Sequence, residues 1–253
     1  MFPVQGPAGP LGGIIKGVSR VGDTDPPLVL LHGIQGTARS WKGVMELLPA
    51  GVSAVAPNLR GRADSVTPEQ PADYEIAHFA DDVAAVIEAL GRPVILAGWS
   101  MGVLVALGYI KAHGLANVCG LALISGSPYP GRHGANWFLG DTVDAIADEA
   151  EGRARRMGLS ETAHSIAVAG SWLACKATNH ADVLREIHCP VAVIHGTEDD
   201  QCPLSHARFM AQSVPDGRLH EFHGRSHSIL AEAPEDVADA LLALRQRCLD
   251  TST

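Results

Sequence analysis

The sequence predicts an α/β fold, a mostly parallel central sheet flanked by helices, and three observations carry that prediction. Short, wholly apolar runs alternate with longer helix-forming segments through most of the chain. These runs show no polar alternate positions, the mark of strands buried on both faces, as in parallel sheets. The third observation is the pentapeptide Gly98-Trp99-Ser100-Met101-Gly102. It joins the apolar run 93–97 to the helix-length run 103–110, so one serine sits where a strand turns sharply into a helix.

In chain order, residues 12–21 suit an opening strand or hairpin, and Asp25-Pro26-Pro27 punctuates. Residues 28–31 then form a buried strand ending at His32-Gly33. A short helix over 41–48 leads to a strand at 52–56 and a loop at 57–65. Residues 76–90 form an amphipathic helix: Ile76, Phe79, Val83, Val86, Ile87 and Leu90 share one face, with Asp81, Asp82 and Glu88 largely off it. Gly91 closes that helix, and the strand before Ser100 follows. Later strands lie at 119–124, 191–194 and 218–222, with a closing helix at 234–249. The stretch from Ser127 to Cys189 is too long for a simple crossover. It opens with Pro128, Pro130, Gly131 and Gly134 and continues as helix-forming sequence through Met157 to Ala177, the pattern of an inserted helical cap.

Composition narrows the function classes. A chain of 253 residues suffices for one large domain with an insertion. A net charge of −9 without a basic cluster argues against nucleic acid as partner. No apolar stretch approaches the ~20 residues of a membrane span, and the first seven residues lack the basic start and apolar core of a signal peptide. The five cysteines, Cys119, Cys175, Cys189, Cys202 and Cys248, are odd in number, scattered, and form no C-x-x-C pair. Free thiols in a reducing compartment, hence a cytoplasmic protein, account for them most simply. A homo-oligomer stays open.

A serine becomes a useful nucleophile only with a base to take its proton and an acid to orient that base. Two strand-end loops offer them. The loop after 191–194 carries Glu198, Asp199 and Asp200, and the loop after 218–222 carries His227. His220, His223 and His227 are close enough in sequence to suggest a metal site. The first two straddle a strand end and no acid or cysteine completes a set, so none is expected. Among the twelve histidines, His227 is the candidate base. His32 and His195 precede glycines in strand-end loops and are read as loop-shaping.

Several pieces together resemble the α/β-hydrolase superfamily across nearly the full chain. They are Leu31-His32-Gly33 with Trp41, the Arg60-Gly61 loop, the Ser100 pentapeptide, Gly196-Thr197-Glu198-Asp199 with Pro203, and Gly224 to His227 with Pro234. The resemblance implies the α/β-hydrolase fold with a helical cap inserted between the sixth and seventh strands: a core of 1–126 and 190–253 and a cap of 127–189. The superfamily pattern G-x-x-D-x-x-x-P selects Asp199 over Glu198 and Asp200. The alternative position for the acid reads Ser125-Gly126-Ser127, without a carboxylate. The resemblance also implies an oxyanion hole from the backbone N–H groups of Ile34 and Met101, the latter at a helix start that favours an anion.

Two departures stand out. The usual D-x-R-G-x-G-x-S loop reads Asn58-Leu59-Arg60-Gly61-Arg62-Ala63-Asp64-Ser65, which should change loop conformation. Val103 replaces a common second glycine, which should alter helix packing. Within the superfamily, the Gly-x-Ser-Met-Gly elbow, the short cap and the Ala207-Arg208-Phe209 helix are similar to the small carboxylesterases, enol-lactonases and cofactor-free haloperoxidases. That resemblance implies hydrolysis of a small ester or lactone through an acyl-Ser100 intermediate, with no cofactor and no metal. Trp99, Trp137, Phe138, Leu139 and Trp172 are the expected apolar pocket walls, with the interior of the cap as the alternative place for the cap aromatics, and Gln35 either reaches the pocket or lies exposed in its loop. Carbon–carbon hydrolysis or a lyase-type elimination by the same triad, and a non-catalytic ligand receptor, are the competing readings.

Overall fold

A computed structural model describes residues 3–17, 25–131, 137–156 and 161–251. Residues 4–11 form a hairpin of β1 (Val4–Gly6) and β2 (Gly9–Leu11), and β3 (Gly13–Lys16) follows as a single strand. The opening strand expected at 12–21 is thus shorter, its last part lies outside the described residues, and the hairpin precedes it. The remaining strands are β4 (Leu28–Leu31), β5 (Ala54–Pro57), β6 (Val94–Trp99), β7 (Val118–Ile124), β8 (Val191–Gly196) and β9 (Gly217–Phe222). The main sheet has the order β3-β5-β4-β6-β7-β8-β9, with β3 antiparallel to β5 and every other neighbouring pair parallel.

The helices are α1 (Lys42–Leu47), α2 (Ile76–Leu90), α3 (Met101–His113), α4 (Val143–Arg156), α5 (Ser165–Ala177), α6 (Leu204–Ser213), α7 (Ile229–Glu232) and α8 (Pro234–Asp250). Because successive strand residues point to opposite faces, each central strand supplies two apolar layers. Val29, Leu31, Leu96, Leu121, Leu123, Val191 and Val193 pack with α2 and α3. Leu28, Leu30, Ile95, Ala97, Ala122, Ile124, Ala192 and Ile194 pack with α1 and α8. Continuous apolar strands are therefore the sequence expression of a sheet covered on both sides. The chain passes from β4 outward to β5 and then returns across to β6, so the strand order reverses between β4 and β6. A crevice opens beyond the carboxyl ends of strands at such a reversal, and Ser100 follows β6 there.

The segment between β7 and β8 contains two helices, α4 and α5, rather than one continuous run through Met157; residues 157–160 lie outside those described. With three strands ahead of β4, the insertion follows the seventh strand rather than the sixth. It has no separate core: Ile146, Ala150, Ala167, Val168, Trp172 and Cys175 join the layer on the α2–α3 face.

The α2 helix spans the residues its periodicity predicts, and Gly91 ends it at φ 67° with its N–H on the Ile87 and Glu88 carbonyls. Asp82 departs from the expected solvent face. It is buried, and Arg60 grips it with two hydrogen bonds of 2.7 and 2.8 Å. Burial pushes the Asp82 carboxyl up against the pull of Arg60. In the Arg60 loop, Asn58 Nδ2 donates to Asp64 and its Oδ1 accepts from the Ala38 N–H. Ala63 holds a left-handed φ of 46°. An L-residue pays roughly 1–2 kcal/mol there, partly offset by the chain entropy of glycine. Ala63→Gly is expected to raise the unfolding free energy by about 0.5–1 kcal/mol in denaturant titrations.

Candidate active site

The turn after β6 confines Ser100 to φ 57° and ψ −119°, and its N–H is held by the Ile124 carbonyl at 2.9 Å. Such an angle in a non-glycine residue marks strain kept in place by its surroundings. The neighbouring glycines make that turn passable. A Cβ on Gly98 would lie 2.1 Å from the Gly102 carbonyl oxygen, and one on Gly102 would lie 2.5 Å from that of Leu31. Val103 is fully buried, and Gly126 leaves room for it: a Cβ there would stand 2.3 Å from Val103 Cγ2.

His227 sits between two partners. Its Nε2 is 2.9 Å from Ser100 Oγ, and its Nδ1 is 3.0 Å from each carboxylate oxygen of Asp199. Glu198 and Asp200, the other carboxylates of that loop, are exposed. Asp199 Oδ1 also accepts the N–H groups of Gln201 at 2.9 Å and Cys202 at 2.8 Å. Burial would raise this carboxyl, but the His227 contact and the Cys202 N–H together hold it below the ordinary carboxylate range. His195 also approaches Asp199, at 3.5 Å, yet its Nε2 is committed to the Cys202 carbonyl at 2.9 Å and burial lowers its pKa. It is a neutral brace for the acid loop. Trp99 braces His227, donating its indole N–H to the His227 carbonyl at 3.1 Å.

Ile34 and Met101 flank Ser100 from the ends of β4 and the start of α3. Neither backbone N–H donates to a backbone carbonyl among the described residues. The Ile34 carbonyl is anchored by Arg62 Nη2 at 2.8 Å, and the same guanidinium reaches Ser171 at 3.0 Å and the Arg60 carbonyl at 2.7 Å. Arg62 is fully buried over the Phe79 ring, and burial lowers its pKa to about 10, so it stays charged near neutrality. Nothing in the local pattern marks this role beyond a charged residue between Gly61 and Ala63.

His32 is equally buried. Its Nδ1–H donates to the Gly33 carbonyl at 2.8 Å while Nε2 accepts the Leu59 N–H at 3.1 Å, so the ring is a neutral spacer between two loops. Burial and the nearby Arg62 charge lower its pKa to about 3. The unfolded chain takes up this proton near pH 6.5 and the folded chain does not. His32 therefore favours folding fully above pH 6.5, and that contribution is lost as pH falls toward 3. By pH 4 the loss is roughly 3 kcal/mol. Unfolding free energies measured from pH 7 to 4 should fall accordingly, with about one fewer proton taken up in His32→Asn.

A cavity of about 350 Å³ opens over Ser100 and His227. Ile34, Gln35, Arg39 and Trp99 line it from the core, and Arg153 and Glu161 from the inserted segment, with Gln201 between them. Of the expected wall residues, Gln35 and Trp99 are there; Gln35 Nε2 is tied to the Ala150 carbonyl at 2.9 Å. Trp137, Phe138 and Trp172 are not. They pack on one another, with ring centroids 5.0 and 6.1 Å from Trp172, and belong to the apolar layer shared with α2 and α3. Leu139 points to solvent. Among the described residues no three His, Cys, Asp or Glu side chains group as a metal site, and His223 is exposed.

Ser100, Asp199 and His227 thus come together from the loops that follow β6, β8 and β9. Residues 28–240 match the alpha/beta hydrolase family. The chain belongs to that family. Within it, this hydrolase is 30% identical to a pimeloyl-[acyl-carrier protein] methyl ester esterase of Aromatoleum aromaticum, over 84% of this chain and 95% of the relative. Its fold is shared with an esterase from Exiguobacterium antarcticum (TM-score 0.82, 22% identity, 97% of this chain and 100% of the other). An enol-lactonase from Burkholderia xenovorans is also similar (TM-score 0.75, 19% identity, 93% and 96% covered). No helix among the described residues is long and apolar enough to cross a membrane, and no disulfide joins any of the five cysteines among the described residues.

Proposed function

We propose that this hydrolase cleaves a small carboxylic ester or lactone through an acyl-Ser100 intermediate. The observation that carries the reading is His227, hydrogen-bonded at once to Ser100 Oγ and to the buried Asp199 carboxylate. With Nδ1–H directed at Asp199, Nε2 is free to accept the Ser100 proton as Oγ attacks the substrate carbonyl carbon. The carbonyl oxygen becomes an oxyanion facing the Ile34 and Met101 N–H groups. Collapse expels the alcohol, which leaves with the proton from His227. Water then repeats the sequence on the acyl ester, giving the acid and free Ser100. For a lactone, both products stay in one molecule.

In this reading residues 1–126 and 190–253 supply the chemistry and 127–189 caps the substrate. Five cysteines without a disulfide among them support a cytoplasmic setting, and the partner is a small molecule rather than nucleic acid or membrane. The test is intact-protein mass spectrometry during turnover of an ester and lactone panel. A transient acyl adduct on Ser100, absent from Ser100→Ala, is expected. Turnover with an adduct elsewhere would overturn the scheme. Cleavage of a dienone diketone with esters untouched would replace it with carbon–carbon hydrolysis, and tight ligand binding without any turnover would make the chain a receptor.

A further inference from the structure

The cavity above Ser100 holds two cations, and they differ in how they are neutralised. Arg39 pairs with Glu161 at 3.0 Å on the exposed rim. Arg153 has no ion pair among the described residues; its Nη2 donates to the neutral Gln201 side-chain oxygen at 3.0 Å, and its guanidinium lies over the Phe138 ring at 5.8 Å. Asp200 draws on it electrostatically, but from beyond contact, and burial already weighs on the charge. The remaining guanidinium donors have no hydrogen-bond partner among the described residues, yet they belong to a side chain that lines the cavity. A half-buried guanidinium held on one edge and open on the other matches the planar, two-oxygen geometry of a carboxylate.

Its support is also tied to the reacting atoms. The Gln201 side chain receives Arg153, the Gln201 N–H donates to Asp199 Oδ1, and the Gln201 carbonyl accepts the Trp137 indole N–H. One residue therefore fixes the distance between the guanidinium and the Asp199–His227–Ser100 relay. An anion bound at Arg153 would be registered against the scissile carbonyl rather than merely attracted. On a protein of net charge −9, such a local cation is what an anionic substrate needs to enter.

We propose that Arg153 anchors a free carboxylate on the substrate, so that the preferred esters are those whose acyl chain ends in a second, ionised carboxyl group. This rests on the serine-hydrolase reading above and specifies its substrate class. Glu161 fits the same picture: held by Arg39, it faces the cavity without cancelling Arg153.

The test compares mono-4-nitrophenyl esters of succinate, adipate and suberate with their methyl-capped neutral counterparts, following nitrophenol release with the uncatalysed rate subtracted. Wild type should favour the free-carboxylate ester by at least tenfold in kcat/KM at the best chain length. In Arg153→Gln that ratio should fall to about one, and Arg153→Lys should keep part of it, because the charge survives without the planar fork. A wild-type ratio at or below one for every length, or a ratio preserved in Arg153→Gln, would overturn the anchor while leaving ester hydrolysis intact. Absence of hydrolysis for both series, with no Ser100 adduct, would instead bring down the hydrolase reading together with the anchor.

Discussion

Ser100→Ala is expected to lower kcat by about 10⁶-fold and Asp199→Asn by about 10⁴-fold, with the double variant no worse than Ser100→Ala alone. The asparagine effect follows from the geometry around the acid. Two backbone N–H groups, from Gln201 and Cys202, donate to Asp199 Oδ1, so the oxygen of an asparagine amide stays at that position. Its NH₂ group then occupies the Oδ2 site, 3.0 Å from His227 Nδ1. A donor there compels Nδ1 to accept, which moves the ring proton to Nε2, opposite Ser100 Oγ. The base is blocked by its own proton while the loop keeps its shape. Once Ser100 is gone there is no proton for His227 to take, so the two losses do not add. Steady-state kinetics on a nitrophenyl ester, with circular dichroism to establish folding, read all three variants. Additive losses, or an Asp199→Asn variant within tenfold of wild type, would contradict a working triad.

The sequence shows some of this architecture plainly and conceals the rest for identifiable reasons. Strands β4, β6 and β7 are legible because burial on both faces leaves no charged position, and β8 breaks its apolar run only at the buried His195. The elbow is legible because only glycine fits beside the Gly102 and Leu31 carbonyls. Asp199 needed the superfamily pattern, since Glu198 and Asp200 have the same chemistry and only the fold decides which one turns inward. Trp137, Phe138 and Trp172 were expected in the pocket because they are large and apolar. Those same properties draw them into the apolar layer shared with α2 and α3, and the polar Arg153 and Glu161 of the insertion face the cavity instead. Arg153 lies three residues after the buried Ala150, on the same side of α4, but its charge reads as solvated when α4 is taken alone. Which side of an inserted helix faces the sheet is a tertiary fact, not encoded in its own pattern.

Asp82 poses the same difficulty within the core, and its replacement carries the largest expected loss of stability. An aspartate three residues after Phe79 falls on the buried arc of α2, where a charge is costly unless paired. Its partner, Arg60, lies 22 positions away in a loop, beyond the reach of local periodicity. Both side chains are almost completely buried, at 4% and 2% exposure, and among the described residues Arg60 otherwise donates only to the Asp73 carbonyl. Asp82→Ala therefore strands a buried guanidinium, an effect of about 3–5 kcal/mol, or roughly 6–20 °C in Tm for a domain of this size. Arg60→Met combined with Asp82→Leu should recover most of it, because an apolar pair has no charge to desolvate. The consequence extends to chemistry. Arg62, two residues along the same loop, holds the Ile34 carbonyl beside the proposed oxyanion site. Below its melting range, Asp82→Ala should thus lose about tenfold in kcat with a smaller change in KM, whereas the apolar double variant regains stability first. Calorimetry and kinetics on the three proteins separate these effects: a Tm within 2 °C of wild type in Asp82→Ala would show that the ion pair does not hold this loop in place.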